Sequence, residues 1–284
     1  MLSEIQLREK LQIFAQNDFH LSEKADVSEI IPDMLNHIGS IDSYLRDDLI
    51  YSAFGTWILR DNVIDREQLR VILPKILNEQ HLLYKLGEQN TDSVFRRSFS
   101  VLLLPLLLIA HRSQPFLTAP EIHQVKDKLL YYLGHEKDRR GFVSEKGWAH
   151  AIAHAADTLD DLAQCSELDK SDLAKILEVI RNVVCIQDTG YTHLEDERIV
   201  TAVIAILKRQ LLSDPEITEW IQSFAEQTLP IQSMPERQII RANVKNFLQS
   251  LYFRLQWEPM INNFGLPIDQ TLQKINPFKR PENG

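Results

Sequence analysis

Apolar residues recur at alternating intervals of three and four along most of this chain, and that spacing commits it to helices. The pattern runs near residues 42–60, 65–86, 92–112, 118–133, 144–165, 171–187, 195–212, 214–228 and 237–257. Only 9 of the 284 residues are glycine, too few for the turns that many short strands require. A hydrophobic content of 44% supplies a substantial core. The expectation is an all-α protein forming one helical domain over residues 1–284. Start signals agree: Thr118, Ala119, Pro120 and Glu121 spell a capping box with proline in the first turn, and Ser171 and Asp214, the latter followed by Pro215, look like further starts.

Alternate helices begin near residues 42, 92, 144 and 195, a period of roughly fifty residues that matches one helical hairpin per unit. This predicts an irregular α-solenoid of the HEAT or armadillo kind, with repeats over about 40–257; an irregular helical bundle is the alternative. Residues 258–284, with Pro259, Pro267, Pro277 and Pro281, read as an extended tail.

A net charge of -9 repels phosphate backbones, and Arg96, Arg97, Arg139 and Arg140 make two small basic spots without a continuous stripe. Nucleic acid is therefore not an expected partner. Met1 to Lys10 alternates charged and apolar groups without the hydrophobic run of a signal peptide. The apolar run Val101 to Ala110 is about half a bilayer span and contains Pro105, so it reads as a buried, kinked helix and no membrane partner is expected. Cys165 and Cys185 lie inside apolar helical patterns without disulfide or zinc spacing, which suits a reducing cytoplasm.

The segment SEKGWAHAIAHAADTLDDLAQC, residues 144–165, carries two stripes if it is one helix. Trp148, Ile152, Ala155, Leu159 and Leu162 form the core stripe. His150, His154, Asp157 and Asp161 form a polar stripe nearly opposite, flanked by alanines that admit a helix or a ligand. Histidines at i and i+4 with an aspartate three residues on have the spacing to hold a divalent metal ion. Ala151 stands where a zinc peptidase has glutamate, which argues against that chemistry. An ordinary solvated helix face is the competing reading, although such faces usually carry Lys, Glu and Arg.

Two loops border this stripe. GHEKDRRG, residues 134–141, offers Asp138, Arg139 and Arg140, with the arginines suited to a carboxylate or phosphate; an ordinary charged turn is the alternative. DTGYTHLEDER, residues 188–198, offers His193 and Asp196, while Thr192 and Glu195 fit a capping box. In a solenoid both loops share one rim. The candidate site then has His150, His154, Asp157 and His193 as metal ligands, and Asp138 or Asp196 moving protons. In that hydrolase-like scheme Arg97 or Arg139 holds an anionic small-molecule substrate, and Trp148, Arg140 and Asp161 are further ligand-binding residues. The rival function is a non-enzymatic scaffold whose partner is another protein. His20, His37, His81, His111 and His123 are scattered singly and read as surface or capping residues.

Taken in order, TDSVFRRSFS, KDRRG, GWAHAIAHAADTL and EDERI resemble the family catalogued as domain of unknown function 2785, over about residues 40–260. GWAHxxAHxAD is the most specific element. The resemblance implies a helical, repeat-like protein from a Gram-positive bacterium and supplies no activity.

Overall fold

A computed structural model describes residues 1–21 and 26–279. The chain divides into two compact units, Met1–Glu167 and Leu168–Gly284. It is predominantly helical, with one two-stranded sheet among the described residues.

In the first unit, α1 (Glu4–Ala15) and α2 (Ile31–Asn36) precede a helical stretch over 44–60. That stretch is π-helical at Tyr44–Tyr51 and Thr56–Arg60, on either side of α3 (Ser52–Gly55). α4 (Arg66–Ile76) starts at a capping box between Asp65 and Gln68. The core helix is α5 (Ser93–Ser113), apolar nearly all round and therefore covered nearly all round, by α4, by the 44–60 stretch and by α7 (Ala151–Ala163). Its length and composition would let it cross a membrane, yet 78% of its apolar window is buried within the protein. Pro105 lies inside α5, where its missing N–H removes one hydrogen bond without ending the helix. α6 (Ala119–His135) begins at the expected box, with the Thr118 N–H donating to Glu121 Oε2 at 2.7 Å.

The second unit holds α8 (Lys170–Val184), α9 (Glu195–Lys208), α10 (Asp214–Thr228), α11 (Glu236–Leu255) and α12 (Gly265–Ile275). Here α9 packs on α11, α8 on α9, α10 and α11, and α12 on both α10 and α11. The caps of α8 and α10 are Asp169 and Ser213, one or two residues before the starts read from sequence.

Four expectations need correction. The helix expected over 144–165 starts only at Ala151; before it, β1 (Phe142–Val143) and β2 (Gly147–Trp148) form an antiparallel hairpin. Left-handed backbone at Glu145 (φ 65°), Gly147 (φ 79°) and His150 (φ 46°) excludes a helix there. The pattern over 65–86 ends as helix at Ile76, although Leu77, Leu82 and Leu83 stay buried in the turns beyond. The expected tail contains α12, because Pro267 falls in its first turn, where backbone N–H groups have no intrahelical partner. Pro281 of that tail lies outside the described residues. His81 and His111 are buried rather than at the surface. His111 does act as a cap: its Nδ1 accepts from the N–H groups of Phe116 and Leu117 at 3.1 and 3.0 Å, so the proton sits on Nε2, which donates to Glu167 at 3.0 Å.

Candidate functional site

Within the first unit the residues singled out by sequence fall into three groups, and the first surrounds Arg97. This side chain points from α5 into the interior and is fully buried, as is Glu136 just past the end of α6. Arg97 Nε and Nη2 donate to the two Glu136 oxygens at 2.6 and 3.0 Å, a forked pair. Its Nη1 donates to Ser93 Oγ (2.8 Å) and to the carbonyls of Tyr84 (3.0 Å) and Lys85 (3.1 Å), and Nη2 also reaches the Glu88 carbonyl at 3.3 Å. All five guanidinium donors are thereby spent inside the protein.

A second fork follows in series. Glu136 Oε1 accepts the Asp138 N–H at 2.8 Å, and the Asp138 carboxylate takes Arg140 Nε at 2.8 Å and Nη2 at 2.7 Å. Arg140 also donates to the Thr91 carbonyl at 2.7 Å. Two buried carboxylates are thus neutralised by buried Arg97 and half-buried Arg140, the arrangement that makes buried charge tolerable. Tyr132 is fully buried against this cluster; burial first, then the Glu136 carboxylate, pushes its phenol well above the usual range. Arg139, between the paired residues, is half-buried in the same loop.

The hairpin is the second group. The N–H groups of Ala149 and His150 donate back to Gly141 and Arg140 carbonyls at 2.8 and 3.1 Å, closing its base. Its tip is held by Arg46, a buried residue of the 44–51 segment. Arg46 Nη2 donates to the Lys146 carbonyl at 2.9 Å and Nη1 to the Ser40 carbonyl at 2.7 Å. The Arg46 guanidinium also sits 4.4 and 4.5 Å from the Phe95 and Phe99 ring centroids. Gly147 is required twice over, by its φ of 79° and because a Cβ there would meet Ser43 Cβ at 2.8 Å. What this brace presents outward is aromatic: Phe142 is 56% and Trp148 39% exposed, directly paired across the strands with rings 5.1 Å apart. Trp148, expected on the core stripe of a helix, instead stands on a strand with its indole stacked on His150 at 4.2 Å.

The third group is the polar stripe of α7. His150 caps the helix and His154 lies in its first turn, both buried, so the solvated-face reading fails for these two. Their rings are 5.7 Å apart. His154 Nδ1 faces the Ser98 carbonyl at 3.2 Å, which puts the ring proton on that nitrogen. Asp157 is half-buried, whereas Asp161 is buried and ion-paired with Arg112. Burial outweighs Arg112 and lifts the Asp161 carboxyl to about 6. Among the described residues no three His, Cys, Asp or Glu side chains gather closely enough to hold a metal ion.

His193 and Asp196 belong to the second unit. The His193 N–H donates to Glu195 Oε2 at 2.8 Å, and its Nδ1 lies 3.1 Å from Thr192 Oγ1. The expected capping box on Thr192 does not form: Leu194, left-handed at φ 64°, is the cap, and Glu195 is buried. Asp196 accepts from Ser250 Oγ at 3.2 Å.

Sequence reading missed Arg46, Glu136 and Phe142. Arg46 stands in RDD, a surface-like string, and nothing local marks it as buried. Glu136 and Phe142 flank the chosen loop residues, and an acid two positions before Asp138 was the available signal.

No curated protein and no solved structure matches the chain. The family model described as "Protein of unknown function (DUF2785)" matches residues 82–253, which include the Arg97–Glu136 pair, the hairpin and α7, and the chain belongs to that family.

Proposed function

We propose that this chain is a non-catalytic binding module whose recognition element is the hairpin at 142–148, docking an apolar segment of another protein. The observation that carries the reading is the exposed Phe142–Trp148 pair on a hairpin held at its tip by buried Arg46 and closed at its base by backbone hydrogen bonds. Paired aromatics on a rigid support contribute contact area with little loss of side-chain freedom. Of the groups assigned above to substrate and proton handling, Arg97 has no donor left and Asp138 is locked to Arg140. A helical-repeat architecture suits this role. It is supported by helices two apart packing together, α5 on α7 in the first unit, and α8 on α10, α9 on α11 and α10 on α12 in the second. Cys165 and Cys185 are buried and not joined in a disulfide, which fits a reducing cytoplasm.

The test is a photo-crosslinking amino acid placed at Phe142, with one at exposed Val71 on α4 as control, in cells that make the protein naturally. A discrete protein adduct from position 142, absent from 71 and abolished by Trp148→Ala, is expected. Identical adducts at both positions, or none at 142, refute the reading.

A second reading keeps a divalent ion at His150 and His154, with water completing its shell. It is favoured by the His154 tautomer, which places the Nε2 lone pair away from Ser98, and by the neighbouring His150 ring 5.7 Å away. Calorimetric titration with zinc and manganese separates the two: stoichiometric binding lost in His150→Ala, His154→Ala supports the ion, and no heat in the parent protein removes it.

A further inference from the structure

α11 carries Arg237, Arg241 and Lys245 at successive intervals of four, so all three stand on one face of the helix. They line a cavity of about 520 Å³ in the second unit. Its other walls include Leu272, Ile275, Pro277 and Phe278, from α12 and the residues after it, and among the described residues no carboxylate lines it.

These cations are unlike those of the first unit. Among the described residues, Arg241 and Lys245 have no hydrogen bond or ion pair, and Arg237 has only a 3.5 Å contact to Gln232. The Nε atoms of Arg237 and Arg241 are buried and unpartnered. Like charges four residues apart on a helix repel one another and cost stability. In a chain of net charge -9, placing three such cations together with no carboxylate among the described residues of the lining is unfavourable for folding alone. An anion entering the cavity relieves that cost.

The cavity also has an apolar side. Ile275 is buried, Leu272 is half-buried and Phe278 is 89% exposed at the mouth. The volume falls among small-ligand sites, and guanidinium forks match carboxylate and phosphate oxygens alike.

We infer that this cavity binds a small anionic amphiphile, its carboxylate or phosphate head held by Arg237, Arg241 and Lys245 and its apolar body laid against Leu272, Ile275 and Phe278. The inference is independent of the hairpin reading, since it uses only second-unit residues, and α12 lies beyond the stretch matched by the family model.

Isothermal titration calorimetry of the full chain with decyl phosphate and with decanoate, both below their micellar concentrations, tests it. Saturable binding at one molecule per chain is expected for at least one of them, and comparing the two identifies the head group. Decanol and inorganic phosphate should each bind at least tenfold more weakly. The R241Q/K245Q double variant should lower affinity for the anions at least tenfold with an unchanged thermal melt, and Leu272→Asn should lower it through the apolar wall. Should the double variant melt early, K245Q alone, at an exposed position, serves as the charge test with a severalfold loss expected. The inference is overturned by absence of saturable binding, by affinity indifferent to the charge variants, by inorganic phosphate binding as tightly as decyl phosphate, or by binding only to anionic phospholipid vesicles.

Discussion

The cations gathered at the loop after α6, Arg97 from α5 and Arg140 from the loop itself, and those of α11 make opposite uses of the same chemistry. Arg97 and Arg140 each meet a carboxylate in a fork and also reach backbone carbonyls, and Arg97, fully buried, spends every donor within the chain. Among the described residues, Arg237, Arg241 and Lys245 meet no carboxylate along their cavity. A buried cation whose every donor is matched within the chain holds the fold together and has nothing to offer a ligand. A cluster of like charges without counter-charge has the reverse signature: it weakens the fold and attracts an anion. Sequence composition alone gives arginine the same functional promise in both places.

The sharpest break in that comparison is at Glu136. Glu136→Gln leaves Arg97 buried without its counter-charge, and chemical denaturation should show a loss of about 3–5 kcal/mol. Arg241→Gln should change stability by no more than about 0.5 kcal/mol. Equal losses at the two positions would erase the distinction.

Next in size is the hairpin brace. Gly147→Ala forces a side chain into left-handed backbone and against Ser43, which should cost about 1–3 kcal/mol. It should also shift the Trp148 fluorescence as the indole leaves His150. An unchanged spectrum and melt would mean the hairpin adapts freely.

Asp161 gives a pH signature. Its folded carboxyl titrates at about 6, above the ordinary 3.8, so the folded state holds the proton more tightly than the unfolded chain. Its contribution is therefore most favourable below about 4 and is lost as pH rises through 6. Between pH 5 and pH 7.5 the melting temperature of Asp161→Asn should fall less than that of the parent protein; parallel curves would refute the assignment.

The smallest effect belongs at the surface. Arg70 and Glu121 make an exposed fork at 2.9 and 3.2 Å, and Arg70→Ala should cost under about 1 kcal/mol, less still in high salt. A loss matching that of Glu136→Gln would show that burial does not separate structural charge from surface charge.

Much of the helical content was legible because it is local. A capping box such as Thr118–Glu121 involves residues three apart, and α5 announces its burial through an almost unbroken apolar run. The site was legible only as a list of residue types. Asp138, His150 and His154 do lie in the interior, yet the list placed Trp148 on a core helix face, gave Arg97 to a substrate and gave Asp138 to proton transfer.

By itself the sequence determined the helical class, most helix positions and the resemblance carried by GWAHAIAHAADTL, since spacing, caps and short motifs act within a few residues. Tertiary structure decided where the charges are spent. Arg97 and Glu136 are 39 residues apart, and Arg46 reaches the Lys146 carbonyl across 100 positions. Whether a charge finds its partner depends on which segments the core brings together, and dehydration makes that choice costly enough to matter only after the chain has packed.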